Sequence, residues 1–190
     1  ASRVIGAKLT VIACPNSTIK GWTKTIKKAF RDSEVVTKDW HPNWNNYDFP
    51  RYLVINHEMF QNRYLSAIKN FIQNHPIDFI VIDELHQVKQ READEESQRR
   101  HLLNGLITDV PKDRPKPRVL GMSATPIINN LQEGKSLVEL VSSKTQDDIG
   151  TSATVPNCMK LYQKFTTMGF RMMPQHQQSR VPKIYPIDAT

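Results

Sequence analysis

The chain has 190 residues, 38% hydrophobic and 24% charged, enough for one sizeable core and short for two. No run approaches the roughly 18 consecutive apolar residues of a membrane helix, and the opening ASRVIGAKLT lacks the apolar stretch of a secretory signal. Two cysteines, Cys14 and Cys158, make neither a disulfide framework nor a zinc site, so a soluble protein of a reducing compartment, cytoplasm or nucleoid, is expected, with no membrane partner. The net charge of +7 is unevenly placed. Arg3, Lys8, Lys20, Lys24, Lys27, Lys28 and Arg31 precede the first acid, whereas the middle of the chain is mildly acidic. A basic face attracts polyanions by counterion release, nucleic acid being the commonest; a solvated helix face is the alternative.

In chain order, residues 9–13 (LTVIA) read as a buried strand, apolar throughout as in a parallel sheet covered on both faces. A helix follows, capped by Asn16 or Ser17, with Ile19, Trp22, Ile26 and Phe30 on one stripe and the lysines elsewhere. Residues 39–51 (DWHPNWNNYDFPR) form a polar, aromatic loop. Its Trp40, His41, Trp44 and Tyr47 either pin the loop to the fold, the favoured reading, or stack on bases. A second strand spans 52–56 (YLVIN), and the stripe Tyr64, Leu65, Ile68, Phe71, Ile72 makes a helix over 62–75. A third strand spans 79–83. The charged run 91–100 (READEESQRR) is expected to be a solvated helix start, leading to Leu102, Leu103, Leu106 and Ile107. After a proline-rich turn at 111–117 come a fourth strand at 118–122 and a helix over 131–141. The alternation predicts an α/β, doubly wound, mainly parallel sheet with right-handed crossovers and helices on both faces, over residues 1–144. Residues 145–190 are expected to be a linker, a short helix with Cys158, Leu161, Tyr162 and Phe165, and a proline- and glutamine-rich tail.

The sharpest chemical signal is Phe79-Ile80-Val81-Ile82-Asp83-Glu84-Leu85-His86. Adjacent carboxylates emerge at the carboxyl end of a central strand, the edge where doubly wound sheets bind ligands. In nucleotide hydrolases the first acid holds Mg²⁺, usually through water, and the second orients the attacking water. The plain alternative is a strand entering a capped helix. A second run, Leu120-Gly121-Met122-Ser123-Ala124-Thr125-Pro126, places two hydroxyls at another strand's carboxyl end, where they could bond a neighbouring acid. A near phosphate loop at 129–136 (NNLQEGKS) has Asn129 where its first glycine belongs and Glu133 among the would-be phosphates, so a helix is expected there instead. The six histidines show no ligand spacing, and no Ser-His-Asp or Cys-His set is present.

Taken together, VIACPNSTIKGW, YLVINHEMF, VIDELHQVK and LGMSATPIINNLQE resemble motifs Ia, Ib, II and III of helicase superfamily two, and specifically the first RecA-like lobe of Swi/Snf-like DNA-dependent ATPases. Trp22, the segment 129–133, and the pieces 169–173 and 181–183 fit that subgroup's pattern. The resemblance implies ATP and Mg²⁺ as cofactors, with Asp83 and Glu84 as the catalytic pair, Asp83 holding the metal and His86 closing a DExH-type motif. It implies that Ser123, Ala124 and Thr125 couple nucleotide state to nucleic-acid grip. Pro15, Asn16, Ser17 and Thr18 would meet the phosphate backbone with Lys20 in support, a role that suits the free N–H groups of a helix N-terminus; Asn56 and His57 would do likewise. The implied partners are DNA, duplex favoured with RNA left open, and a second RecA-like lobe. No Gly-Lys-Thr loop precedes motif Ia, and residues 1–6 read as the end of the helix that would follow such a loop, with Gly6 as its C′ residue. The expectation is therefore a fragment, nearly inactive alone, of a DNA translocase. The alternatives are a non-catalytic nucleic-acid-binding lobe and a helicase subunit of a restriction or phage-defence system.

Overall fold

A computed structural model describes residues 1–89, 96–125 and 130–170. Residues 2–6 close with Ala7 N–H donating to the Ser2 carbonyl (2.9 Å) and Gly6 N–H to that of Arg3 (3.2 Å), Gly6 standing at φ +69°. That pairing is a helix-ending Schellman turn, and its left-handed residue is the glycine expected there.

Five strands follow: β1 (Leu9–Cys14), β2 (Glu34–Thr37), β3 (Arg51–Asn56), β4 (Phe79–Ile82) and β5 (Arg118–Gly121). They form one all-parallel sheet in the order β2-β3-β1-β4-β5. The helices are α1 (Ile19–Ala29), α2 (Leu65–Asn74), α3 (Gln98–Thr108), α4 (Leu131–Ser142) and α5 (Val155–Met168). β1, β3 and β4 are buried throughout, so alternate side chains feed two cores. Leu9, Val11, Leu53, Ile55, Ile80 and Ile82 face α2, α3 and α4 in one cluster. Ile12, Cys14, Tyr52, Val54 and Val81 face α1 in the other. Helices cover both faces of an α/β sheet of RecA type, as expected.

Four details depart from the sequence reading. β2 was not among the expected strands; its EVVT is short, only half-buried and paired on one side alone, and an edge strand leaves a weak apolar signature. Neither Asn16 nor Ser17 caps α1: residues Asn16–Thr18 make a separate 3-10 turn in which Thr18 Oγ1 donates to the Pro15 carbonyl at 2.9 Å. Arg100, expected in a solvated run, is 6% exposed and donates to the carbonyls of Ser136 (2.8 Å) and Val88 (3.3 Å), tying α3 to α4; residues 90–95 of that run lie outside the described residues. Within 145–157, Ile149 is buried and joins Val138 and Leu161 to dock α5 on α4.

The aromatic loop is pinned to the fold, the reading favoured from sequence. Trp40 and Trp44 are buried, Trp40 edge-on to Phe60 and Phe71, while His41, Tyr47 and Phe49 stay exposed. Residues 134–136 lie inside α4, with Asn130 as N-cap accepting from Glu133 N–H at 3.0 Å, so the Gly-Lys-Ser is helical, as expected; Asn129 lies outside the described residues.

Candidate functional site

The carboxyl ends of β1, β3, β4 and β5 meet along one rim, because a parallel sheet points them all the same way. The rim is set by backbone bonds across the strands. Asp83 N–H donates to the Ala13 carbonyl (2.8 Å), Met122 N–H to that of Ile82 (2.8 Å), and Leu85 N–H to that of Met122 (2.8 Å). Gly121 makes the last of these possible: a Cβ there would lie 2.5 Å from Leu85 Cδ2 and 3.1 Å from Val141 Cγ2.

Asp83, Glu84, His86 and Ser123 come together on this rim. Asp83 is half-buried; its Oδ1 accepts from Glu84 N–H (3.0 Å) and its Oδ2 from the Trp22 indole N–H (2.9 Å). Glu84 stands at φ 51° and ψ 52°, left-handed backbone that a non-glycine residue holds at a cost of order 1–3 kcal/mol. The turn aims its carboxylate outward, 40% exposed, with Oε2 3.1 Å from His86 Nδ1. The same His86 nitrogen lies 3.2 Å from Ser123 Oγ, which also accepts from Thr125 N–H at 3.2 Å. The two sequence runs thus meet at His86 Nδ1, which stands between the Glu84 carboxylate and Ser123 Oγ, and Ser123 Oγ is bonded on to the Thr125 N–H. Ala124 is exposed beside them, and Pro126 lies outside the described residues.

Motif Ia shares the rim. Asn16 and Ser17 are exposed and Pro15 and Thr18 half-exposed, in a turn with no side chain over its N–H groups, and Lys20 follows on the exposed side of α1. The structure moves the other two candidates inward. His57 is 3% exposed, with Nε2 2.9 Å from the Asp83 carbonyl, and Asn56 is 8% exposed, with Nδ2 donating to the Glu58 carboxylate. Burial pushes the His57 pKa below its ordinary value, so the ring is neutral and its Nε2–H donates to that carbonyl. His57 thus braces the turn after β4, and neither it nor Asn56 presents an exposed side chain where the sequence reading expects a phosphate contact.

The contacts of Trp22 and Lys89 were not legible in sequence. Lys89, just past the motif II turn, pairs with the fully buried Glu133 of α4 at 2.9 Å. That bond clamps the segment after motif II to the helix after motif III. Spacing gives no sign of it, because the partners come together only through the β4-to-β5 crossover.

The rim suits a hard cation with phosphate. Asp83 keeps lone pairs after accepting two N–H groups, and among the described residues no group of three or more His, Cys, Asp and Glu side chains forms a metal cage. One carboxylate, with water and phosphate oxygens completing the shell, is how proteins commonly hold Mg²⁺.

No curated protein matches the chain. Among solved structures the chain is similar to the Sulfolobus solfataricus SWI2/SNF2 ATPase core in complex with dsDNA, at TM-score 0.52 and 15% identity over 74% of this chain. It spans 26% of that structure's length, and at this identity the likeness speaks for the fold. The family model described as SNF2-related domain matches residues 3–154, most of the chain, which therefore belongs to the SNF2-related domain family.

Proposed function

We propose that the chain is the first RecA-like lobe of an ATP-dependent DNA translocase, working with ATP and Mg²⁺ between this lobe and a second one. The observation that carries this reading is the meeting of Glu84, His86 and Ser123 beside Asp83 on one rim. Asp83 would hold the metal through water, with the Trp22 and Glu84 N–H groups fixing its carboxylate. Glu84, turned outward by its left-handed backbone, would orient water and take its proton; His86 would hold Glu84 against Ser123. When bound, ATP and Mg²⁺ supply the phosphoryl group for transfer to water and the cation that offsets its charge. Ser123 lies one bond from His86 and Thr125 one bond further, so a change at the nucleotide would be felt beyond β5.

Duplex DNA is the favoured polyanion. A solved structure similar to this chain is described as in complex with dsDNA, and the exposed Asn16 and Ser17 with Lys20 would offer N–H groups and charge to a phosphate backbone without reading bases. Residues 1–144 would form the lobe and 145–190 lead toward its partner. In the full-length protein carrying this chain, duplex should accelerate ATP hydrolysis, and Glu84→Gln should lower turnover by about 10²–10⁴-fold while duplex binding persists. Unchanged turnover in Glu84→Gln would refute the assignment of Glu84, and wild-type protein that binds duplex without hydrolysing ATP would identify a non-catalytic lobe.

A further inference from the structure

Trp22 joins two parts of the rim that the proposed function keeps separate. Its indole N–H bonds Asp83 Oδ2 at 2.9 Å, while part of its ring packs against the core under α1. Among the described residues no other side chain is seen to bond that carboxylate. An indole carries one donor and no charge, so the bond orients Asp83. Trp22 also sits in the first turn of α1, directly after the exposed Asn16–Thr18 turn and two residues beyond Lys20. A helix rises about 1.5 Å per residue, so a shift of α1 by that much along the bond and away from Asp83 would carry the donor beyond hydrogen-bonding range.

We propose that Trp22 is a positioning residue through which phosphate captured at the start of α1 fixes the Asp83 carboxylate. The inference rests on the reading of α1 as the phosphate contact and of Asp83 as the nucleotide-site acid. Polyanion on residues 16–20 settles α1 along its axis, and the indole then holds one oxygen of Asp83, leaving the remaining lone pairs aimed at the rim. Because binding couplings are reciprocal, a change at Asp83 is also returned to α1.

The test uses the 190-residue chain with ¹⁵N-labelled tryptophan. Its three indole N–H signals are assigned by Trp→Phe changes made singly, and anisotropy of a labelled DNA duplex reports binding independently. In Asp83→Ala the Trp22 indole proton should move upfield as its acceptor is lost, with Trp40 and Trp44 unmoved as evidence of an intact fold. Should Asp83→Ala fail to fold, Asp83→Asn, which keeps one acceptor oxygen, should shift the signal less and in the same direction. Saturation with duplex should move the Trp22 signal in the wild type and lose that response in the Asp83 variant. A Trp22 signal unmoved by saturating duplex, or moved equally in the variant, overturns the coupling and leaves DNA binding standing. Absence of duplex binding overturns both the coupling and the reading beneath it.

Discussion

β4 carries an aspartate at each end, and the two have opposite fates. Asp78, at the amino end, turns its Oδ2 into the fold and accepts the backbone N–H groups of Lys8 (2.8 Å) and Leu9 (2.9 Å), fastening the start of β1. Asp83, at the carboxyl end, accepts one backbone and one indole N–H and faces the rim. The arginine and histidine of the amino rim follow Asp78: Arg51 is buried, with its guanidinium 4.9 Å from the Trp44 ring and 4.5 Å from that of Tyr47, and His75 lies edge-on to Trp44. Polar residues thus build structure at the amino rim, while at the carboxyl rim, where the proposed function places a ligand, Asp83 keeps lone pairs uncommitted. Strand direction is the difference, because a doubly wound sheet opens its ligand crevice outside the carboxyl ends of the strands.

The largest expected effect separates those two aspartates. Asp78→Ala takes the acceptor from one exposed and one part-buried backbone donor and should cost about 1–3 kcal/mol by urea denaturation, whereas Asp83→Ala should cost less than about 1 kcal/mol if, as proposed, that residue serves function; equal losses would erase the contrast between the rims. Gly121→Ala probes how tightly the carboxyl rim is packed. Its new methyl must push Leu85 and Val141 aside, so a loss of about 1–3 kcal/mol is expected.

A smaller effect lies in pH. Burial lowers the pKa of His57, and burial followed by Arg51 and Arg114 lowers that of His75. Unfolded, each histidine takes up a proton near pH 6.5, while the folded ring resists it. The unfolded state therefore holds more protons just below that pH, and stability should fall as pH drops through this range, levelling off beneath the folded pKa values. Each ring contributes a slope of at most about 1.4 kcal/mol per pH unit. His57→Gln, which keeps a donor for the Asp83 carbonyl, should remove one share and His75→Gln the other, read from denaturation midpoints between pH 7.5 and 5; a slope untouched by both changes would place the titrating group elsewhere.

The smallest expected effect distinguishes two helices. Lys20→Ala on α1 should make the salt dependence of duplex binding shallower by about 0.9 in log–log slope, and Lys69→Ala, exposed on α2 beneath the opposite face, should leave it unchanged. Equal effects would spread the polyanion over the surface and remove α1 from its special place.

Much of the fold was legible because buried parallel strands are apolar on both faces: LTVIA, YLVIN and FIVID announce themselves without context. β2 was not, since an edge strand paired on one side carries only Val35 and Val36 as its signal. Within the site, Asp83, Glu84, His86 and Ser123 were readable from residue type at strand ends. Asn56 and His57 look the same in sequence as exposed motif residues, and only the structure shows both buried, with His57 bonded to the carbonyl of the β4 turn.

Sequence alone determined the strand-helix rhythm, the acids after β4, the hydroxyls after β5 and the basic start of the chain, because each is a local pattern of residue type and period. Tertiary structure decided which polar groups reach a common rim. The pairings of Trp22 with Asp83, His86 with Ser123 and Lys89 with Glu133 span 61, 37 and 44 residues, and such distances close only when crossovers bring the strands side by side.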